Sequence, residues 1–438
     1  MGKLTCKRGI HPHDYKEQTK DKAIRKLPAP KLLYFPLQQH IGKPAEPVVK
    51  PGDSVLMGQV IADTAGMMTA PVHASVSGIV QDIGQYLHPN GTKQTMIVIE
   101  NDGLDTPAEP LVHRSLHNMT QDEIIGIIRD AGIVGMGGAG FPTHVKLSPP
   151  ADKPIDYVIV NGAECEPYLT SDHRVMVEMP DDIIKGLSVL MHLFPKASAH
   201  IAVEDNKPDA IEALTRAAEE QAGIRVETLK TKYPQGSEKQ LISAVTGREV
   251  PSGGLPMDVG CLVLNIDTVL SIAKAVLEGK PLYERVVTVS GHAVCEPGNF
   301  LVRMGTPFSH IVEAAGGVLE PLGKILMGGP MMGTACYSLD VPVVKGTSAL
   351  LLMTAEEANT GKESPCIRCG RCVSACPIGL RPLFLNAYIQ KENWELCHKE
   401  NIRDCIECGS CSYVCPAKRH LVQSIRLGKD CMKRAGKF

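Results

Sequence analysis

Cys366-Ile-Arg-Cys369-Gly-Arg-Cys372-Val-Ser-Ala-Cys376-Pro377 and Cys405-Ile-Glu-Cys408-Gly-Ser-Cys411-Ser-Tyr-Val-Cys415-Pro416 repeat one spacing, C-x2-C-x2-C-x3-C-P, near the end of the chain. Three thiolates this close wrap three corners of a [4Fe-4S] cube, and the fourth, set apart beside its proline, reaches across to a second cube. The spacing predicts two crossed ligand sets: Cys366, Cys369 and Cys372 with Cys415, and Cys405, Cys408 and Cys411 with Cys376. Zinc knuckles or a disulfide scaffold are the competing readings of paired C-x2-C. Two complete copies, each with its proline, favour the cubes. A chain that commits eight cysteines to paired cubes moves electrons one at a time.

Working outward, 438 residues suffice for about three domains, and 43% hydrophobic content allows ordinary buried cores. Lys plus Arg (46) nearly balances Asp plus Glu (48), so no global basic field points to nucleic acid and no acidic tract points to disorder. The remaining seven cysteines, Cys6, Cys165, Cys261, Cys295, Cys336, Cys397 and Cys431, are scattered without disulfide-like spacing, as in a reducing compartment. The opening residues lack the apolar core of a signal peptide. The most apolar window, Cys261 to Leu277, is interrupted by Asp267 and Lys274 and is too short to span a bilayer. Any membrane role is expected to be by docking.

Residues 1–29 are polar, with Gly9-Ile-His11-Pro12-His13-Asp14 the one chemical hint; a turn that docks on another domain is expected there, with no ligand role. Residues 30–104 change to short apolar runs cut by Gly and Pro, which read as short strands between turns. Within them, Lys50-Pro-Gly52-Asp53, Gly58-Gln59 and Ser77-Gly78-Ile-Val80 resemble the two halves of a lipoyl-type barrel-sandwich hybrid. In carrier domains of that type a lysine sits at the hairpin tip. Here Ala65-Gly66-Met67-Met68-Thr69 occupies it, so a structural or docking module is expected.

After a polar linker, Thr120-Gln-Asp-Glu123 has the form of a capping box before an apolar run. A glycine loop follows, Gly135-Met-Gly137-Gly138-Ala139-Gly140-Phe141-Pro-Thr-His-Val-Lys146. Glycines let backbone N–H groups close on a phosphate, and a downstream lysine supplies counter-charge. The compact run Ile155 to Val160 reads as a buried strand and delivers Asn161-Gly-Ala163-Glu164-Cys165-Glu166-Pro167 at its carboxyl end, where open α/β sheets bind ligands.

G-x-G-G-A-G-F-P-T-x-x-K followed by N-x-x-E-x-E-P resembles the flavin and NADH signature of the complex I flavoprotein subunit and of its Rnf and cobalamin-reductase relatives. Tyr233-Pro-Gln-Gly-Ser-Glu238-Lys239 and Leu264-Asn265-Ile-Asp-Thr268 resemble two further segments of that family. The resemblance implies a Rossmann-like FMN/NADH domain over residues 118–282. It places Gly135, Gly137, Gly138, Ala139, Gly140, Lys146, Asn161, Glu164, Glu238 and Asn265 around FMN, with Phe141 and Glu166 toward NADH. Ala163 and Lys239 replace acidic residues of the complex I pattern, which leaves the nucleotide contacts open.

Residues 283–355 resemble the soluble-ligand-binding β-grasp (SLBB) module, expected to act as a spacer, with Met331 and Met332 filling its core. Residues 356–438 form the α-helical, ferredoxin-like domain for two [4Fe-4S] clusters, ending in a basic tail, Lys429 to Phe438, that is either a solvated face or a docking contact. The whole order is similar to that of the RnfC family, the C subunits of Rnf complexes, and Gly9-Ile-His-Pro and Pro36-Leu-Gln-Gln-His40-Ile-Gly42-Lys-Pro-Ala45 match that family as well.

This multidomain α/β chain is thus expected to carry FMN and two [4Fe-4S] clusters. The resemblance implies NADH as hydride donor, the iron-sulfur B subunit and membrane subunits of an ion-translocating complex as partners, ferredoxin as indirect acceptor, and a peripheral place on the cytoplasmic face of the membrane. A cobalamin reductase shares the flavin motif and twin clusters, but its relatives generally begin near the glycine loop. A non-catalytic wiring subunit would bind no flavin, which flavin content of the purified chain distinguishes.

Overall fold

The computed structural model describes residues 3–111, 115–221, 223–319, 321–359 and 361–436. Lys437 and Phe438 of the basic tail, and His113 and Arg114 of the linker, lie outside the described residues.

The short apolar runs near the start pair into two small sheets. One has the spatial order Leu32–Pro36, Lys93–Asn101, Gly78–Leu87, Ser54–Val55, and the other Glu46–Pro47, Val60–Asp63, Val72–His73. Alternation puts Leu33, Phe35, Ile61, Ile97 and Ile99 inside, as a half-buried sandwich requires. The hairpin tip without a lysine folds down onto the rest of the molecule: His144 Nε2 lies 2.9 Å from the Met67 carbonyl oxygen.

Next comes a parallel four-stranded sheet in the order Ile224–Leu229, Ser198–Glu204, Tyr157–Gly162, Cys261–Asn265. Its central strand carries Val158, Ile159 and Val160, all fully buried, the continuous apolar run of a strand covered on both faces. The helix Gln121–Asp130 starts at the capping box read from sequence, with Thr120 Oγ1 accepting from Glu123 N at 3.3 Å and Glu123 Oε2 from Thr120 N at 2.8 Å.

The β-grasp tract supplies five strands of a six-stranded sheet, Gly298–Arg303, Glu284–Ser290, Ala349–Thr354, Leu322–Met327 and Thr334–Cys336. The sixth is the edge strand Ile24–Lys26 from the polar opening segment, parallel to Gly298–Arg303 with Arg25 opposite Phe300. Lys345 of this tract is fully buried and donates to the carbonyls of Pro71 (2.6 Å) and Gly132 (2.7 Å), so one ammonium ties the sandwich, the parallel-sheet unit and the β-grasp tract together. The last unit is helical, built on Pro382–Ile389 packed against Leu421–Arg434. Among the described residues no helix is long and apolar enough to cross a membrane.

Candidate functional site: a glycine cradle and two thiol sets

Asn161 and Asn265 are direct partners at the carboxyl ends of adjacent parallel strands. Asn265 also caps the helix Ile266–Glu278, its side-chain oxygen accepting from Asp267 N at 2.9 Å while its Nδ2 donates to Asp172 Oδ2 at 2.7 Å. The glycine loop lies above this edge. Gly135 N donates to the Phe141 carbonyl (2.8 Å) to close it, and Met136 N donates to Thr268 Oγ1 (3.1 Å) to pin it. A Cβ on Gly137 would come within 2.9 Å of the Asn265 side chain, so glycine is what allows the loop to sit this low. At Gly138 the position of a Cβ is open, with no protein atom within 4 Å. Gly137, Gly138 and Ala139 are exposed, and Gly140, at φ +69°, turns the chain back toward Phe141.

That cradle is compatible with a phosphate: a Cβ at Gly138 would meet no protein atom within 4 Å, and glycine-rich backbone of this kind can close its N–H groups on an anion. Lys146 Nζ sits 2.5 Å from Glu238 Oε1, so the two charges that flank the cradle neutralise each other. Asn161 braces the neighbouring loop, donating from Nδ2 to the Gly236 carbonyl at 2.7 Å. The barrel sandwich buttresses the far side, where Ile41 N donates to the Gly140 carbonyl at 3.1 Å.

The two acids of the Asn161–Pro167 loop are held differently. Glu164, in the left-handed region at φ +45°, accepts from the amides of Asp172 (2.7 Å) and His173 (3.3 Å) and so neutralises the amino end of the helix Ser171–Glu178. Beside it, burial pushes the Asp172 carboxyl well above the usual carboxylate range, with Glu164 and Asp267 adding like charge. Glu166 accepts from the amides of Met331 (3.1 Å) and Met332 (2.9 Å), and Tyr233 Oη is 3.4 Å away. Burial raises the Glu166 carboxyl to about 7 even against those donors. Met332 is itself exposed, so this pair offers its backbone to Glu166 rather than only filling core.

Two buried lysines absent from the motif reading fix this loop from behind. Lys16 donates to the carbonyls of Glu164 (3.0 Å), Glu166 (3.1 Å) and Leu169, and Lys207 donates to that of Ala163 (2.7 Å). Lys16 belongs to the opening segment, which docks on the parallel-sheet unit as its polar composition led us to expect; Asp14 there accepts from Tyr168 N through its carbonyl and from Asn206 through its carboxylate. Nothing local signals either lysine, because each acts across a long sequence separation.

The eight motif cysteines gather into two groups. Cys366, Cys369, Cys372 and Cys415 line one cavity, and Cys376, Cys405, Cys408 and Cys411 line another, which are the crossed sets the spacing predicts. The repeats share one backbone path. Arg368 and Glu407 are left-handed at φ +55° and +57°, Gly370 and Gly409 both at +76°, and after each Cys-Pro comes Gly379 or Lys418 at +82° or +54°. All fifteen cysteines are free thiols, so no disulfide competes for these sulfurs. Cys366 and Cys369 are exposed, whereas no cysteine of the second set is.

The second set lies against the parallel-sheet unit. Tyr233, 1% exposed, donates from Oη to the Cys408 carbonyl at 2.7 Å, and Ile10, Tyr233, Ala375 and Cys408 pack as one apolar cluster with Cys165 and Met331 at its edge. Of the basic tail, Lys429 is spent here, donating to the Cys405 carbonyl at 2.6 Å and to Glu407 at 2.8 Å.

Comparison with known proteins agrees in four blocks. Family models match for an RnfC barrel sandwich hybrid domain over residues 4–104, a Nuo51 FMN-binding domain over 128–274, an SLBB domain over 286–335 and a 4Fe-4S dicluster domain over 365–419. The C subunit of the proton-translocating ferredoxin:NAD(+) oxidoreductase complex of Clostridium ljungdahlii is 50% identical, with 98% of this chain and 94% of that protein covered. The C subunit of the Na(+)-translocating ferredoxin:NAD(+) oxidoreductase complex of Acetobacterium woodii is 47% identical over 97% of this chain and 96% of that protein. A crystal structure of an NAD+-reducing [NiFe]-hydrogenase shares the fold over 74% of this chain and 63% of that one, with a TM-score of 0.52 at 19% identity.

Proposed function

Since the chain belongs to the RnfC family, the C subunits of ion-translocating ferredoxin:NAD(+) oxidoreductase complexes, we propose that it is the NADH-oxidising, electron-input subunit of such a complex. One observation carries this reading: an open glycine cradle and two four-thiol cavities occur in one packed unit, joined through Tyr233 and Cys408. When bound, FMN takes the two electrons of a hydride and gives them up singly to [4Fe-4S] cubes, which carry one each.

The chain's own residues bind, orient and insulate. Gly137, Gly138, Ala139 and Gly140 would hold the FMN phosphate, with Lys146 supplying charge once it leaves Glu238; Asn161 and Asn265 border the flavin floor. Glu164 sets the amino end of one helix and Glu166 ties the loop to the β-grasp tract, so both acids fix the wall against which NADH would lie beside the half-exposed Phe141. Cys376, Cys405, Cys408 and Cys411 would hold the inner cube, next to Tyr233. Cys366, Cys369, Cys372 and Cys415 would hold the outer one, from which electrons leave. In this reading residues 1–29, 30–104, 118–282, 283–355 and 356–438 are the functional modules, and the protein sits peripherally on the cytoplasmic face of the membrane beside the iron-sulfur B subunit and the membrane subunits that move the ion.

Anaerobic titration of the purified, cluster-reconstituted chain with NADH tests it. Bleaching of flavin absorbance followed by the EPR signals of reduced cubes is expected. Flavin that binds but stays oxidised under excess NADH would show that electrons enter elsewhere.

A further inference from the structure

Three large apolar side chains stand exposed where the barrel sandwich meets the glycine loop: Ile41 (47%), Met67 (73%) and Phe141 (37%). They come from three separate segments, and backbone contacts hold those segments together. Ile41 N donates at 3.1 Å to the carbonyl of Gly140, the residue before Phe141. The Met67 carbonyl lies 2.9 Å from Nε2 of His144, three residues beyond Phe141. The two barrel-sandwich segments are also pressed on each other: Lys43 N donates to the Met68 carbonyl at 3.1 Å, and a Cβ on Gly42 would overlap that same oxygen.

Single apolar side chains on a surface need no explanation, but a group fixed in place by main-chain contacts does. The tip is built rather than loose: His40 Nε2 accepts from Ala70 N at 3.1 Å, and Thr69 Oγ1 donates to the Gly66 carbonyl at 3.0 Å. Folding gains nothing from holding three such side chains in water. What the group borders is the glycine cradle, at its Gly140 end. In the proposed function the nicotinamide of NADH must reach the flavin, which leaves the adenosine half of the molecule to lie outward along the rim. Adenine is flat, apolar on both faces and polar only at its edge, and such a ring is held by aromatic, thioether and aliphatic side chains.

We infer that the barrel sandwich completes the nucleotide site: Ile41 and Met67 form, with Phe141, an apolar shelf for the adenine ring of the dinucleotide. The inference rests on the proposed function for the identity of that dinucleotide. It gives the hairpin tip without a carrier lysine a part in substrate binding. Because the adenine takes no part in hydride transfer, the shelf holds substrate and transition state alike, so it acts on KM and leaves kcat alone.

The test is calorimetric binding of ADP-ribose, which is NAD+ without its nicotinamide, to the full chain loaded with FMN and clusters. Ile41→Ser/Met67→Ser is expected to weaken ADP-ribose about tenfold and to raise the KM for NADH by the same factor at unchanged kcat. Reduced nicotinamide mononucleotide, which has no adenine, should bleach the flavin of both proteins with the same concentration dependence. Ile41→Leu/Met67→Leu should keep ADP-ribose. If the double serine variant loses FMN, Met67→Ser alone, at the most exposed of the three positions, answers the same question. ADP-ribose that binds the serine variant as well as the unaltered chain, or binds neither, would overturn the inference. So would an equal loss toward NADH and the mononucleotide, because the tip would then only shape the flavin loop. Full ADP-ribose binding in a serine variant that no longer assembles with the other subunits would overturn it too, and give the shelf to a protein partner. ADP-ribose carries no electrons, so a chain that NADH fails to reduce counts against the proposed function alone; one that NADH reduces, with ADP-ribose indifferent to the serines, refutes the shelf and leaves electron entry standing.

Discussion

The phenol of Tyr233 donates a 2.7 Å hydrogen bond to the backbone carbonyl of Cys408, joining the parallel-sheet unit to the inner thiol set through a residue that is almost wholly buried. Replacing it with Phe leaves that carbonyl without its donor in an apolar surround, at a cost of about 1–3 kcal/mol. Tyr233→Phe is expected to lose the inner cube faster under oxygen while the outer cube is unaffected, as iron release with EPR on partly degraded samples will show.

The crossed cysteine sets make a paired prediction. Cys415→Ser should abolish the outer cube and Cys376→Ser the inner one, each halving cluster iron to roughly four atoms per chain. Single-variant EPR distinguishes this from ligation within one motif, where Cys376→Ser would instead remove the cube of Cys366, Cys369 and Cys372.

Gly137 and Gly138 separate folding from ligand binding. Gly137→Ala pushes a Cβ against Asn265 and should destabilise the chain itself, whereas Gly138→Ala enters open space and should leave thermal unfolding unchanged. Yet its methyl group stands where the flavin phosphate would approach. Gly138→Ala is therefore expected to weaken FMN binding about tenfold, ~1.4 kcal/mol, measured by flavin fluorescence quenching.

Glu166 gives the molecule a pH dependence of definite sign. Burial lifts its carboxyl from 4.5 to about 7, so between these values the folded chain holds a proton the unfolded chain releases. Stability contributed by that proton is full below about pH 4.5 and is lost as pH rises through about 7, on the order of 3 kcal/mol in total. Glu166→Gln should flatten this part of the curve in chemical denaturation series across that range.

Lys16→Met probes the loop from behind. Three carbonyls and Glu164 lose their shared cation in a buried place, which is expected to cost about 3 kcal/mol. The variant should retain both cubes but lose flavin, because the loop between Asn161 and Pro167 loosens; absorbance at the flavin and cluster bands reads the two separately.

Much of this was legible in the sequence where chemistry is local. The cysteine spacing foretold which thiols share a cavity, and Thr120 with Glu123 formed its capping box. The hairpin tip without a lysine turned out to be a docked turn, held near His144. What could not be read were partners chosen by the tertiary fold. Neither Lys16 nor Lys207 carries a motif, since each meets its carbonyls only when distant segments pack. Glu164 and Glu166 looked like ligand contacts because both follow a strand end, and only the packed structure shows their carboxylates on backbone amides. The edge strand Ile24–Lys26 was hidden by its polarity, as edge strands are.

That edge strand also sets a timetable. Its partner, Gly298–Arg303, is synthesised more than 270 residues later, and Ile10 must meet Tyr233 and the Cys408 region, which emerges later still. At about 5–20 residues per second, the opening segment waits roughly 15–60 s before its strand can pair. Ile10 and Cys408 share one apolar cluster across almost four hundred residues of chain, so during synthesis the inner thiol pocket gains that neighbour only after the cluster domain has emerged.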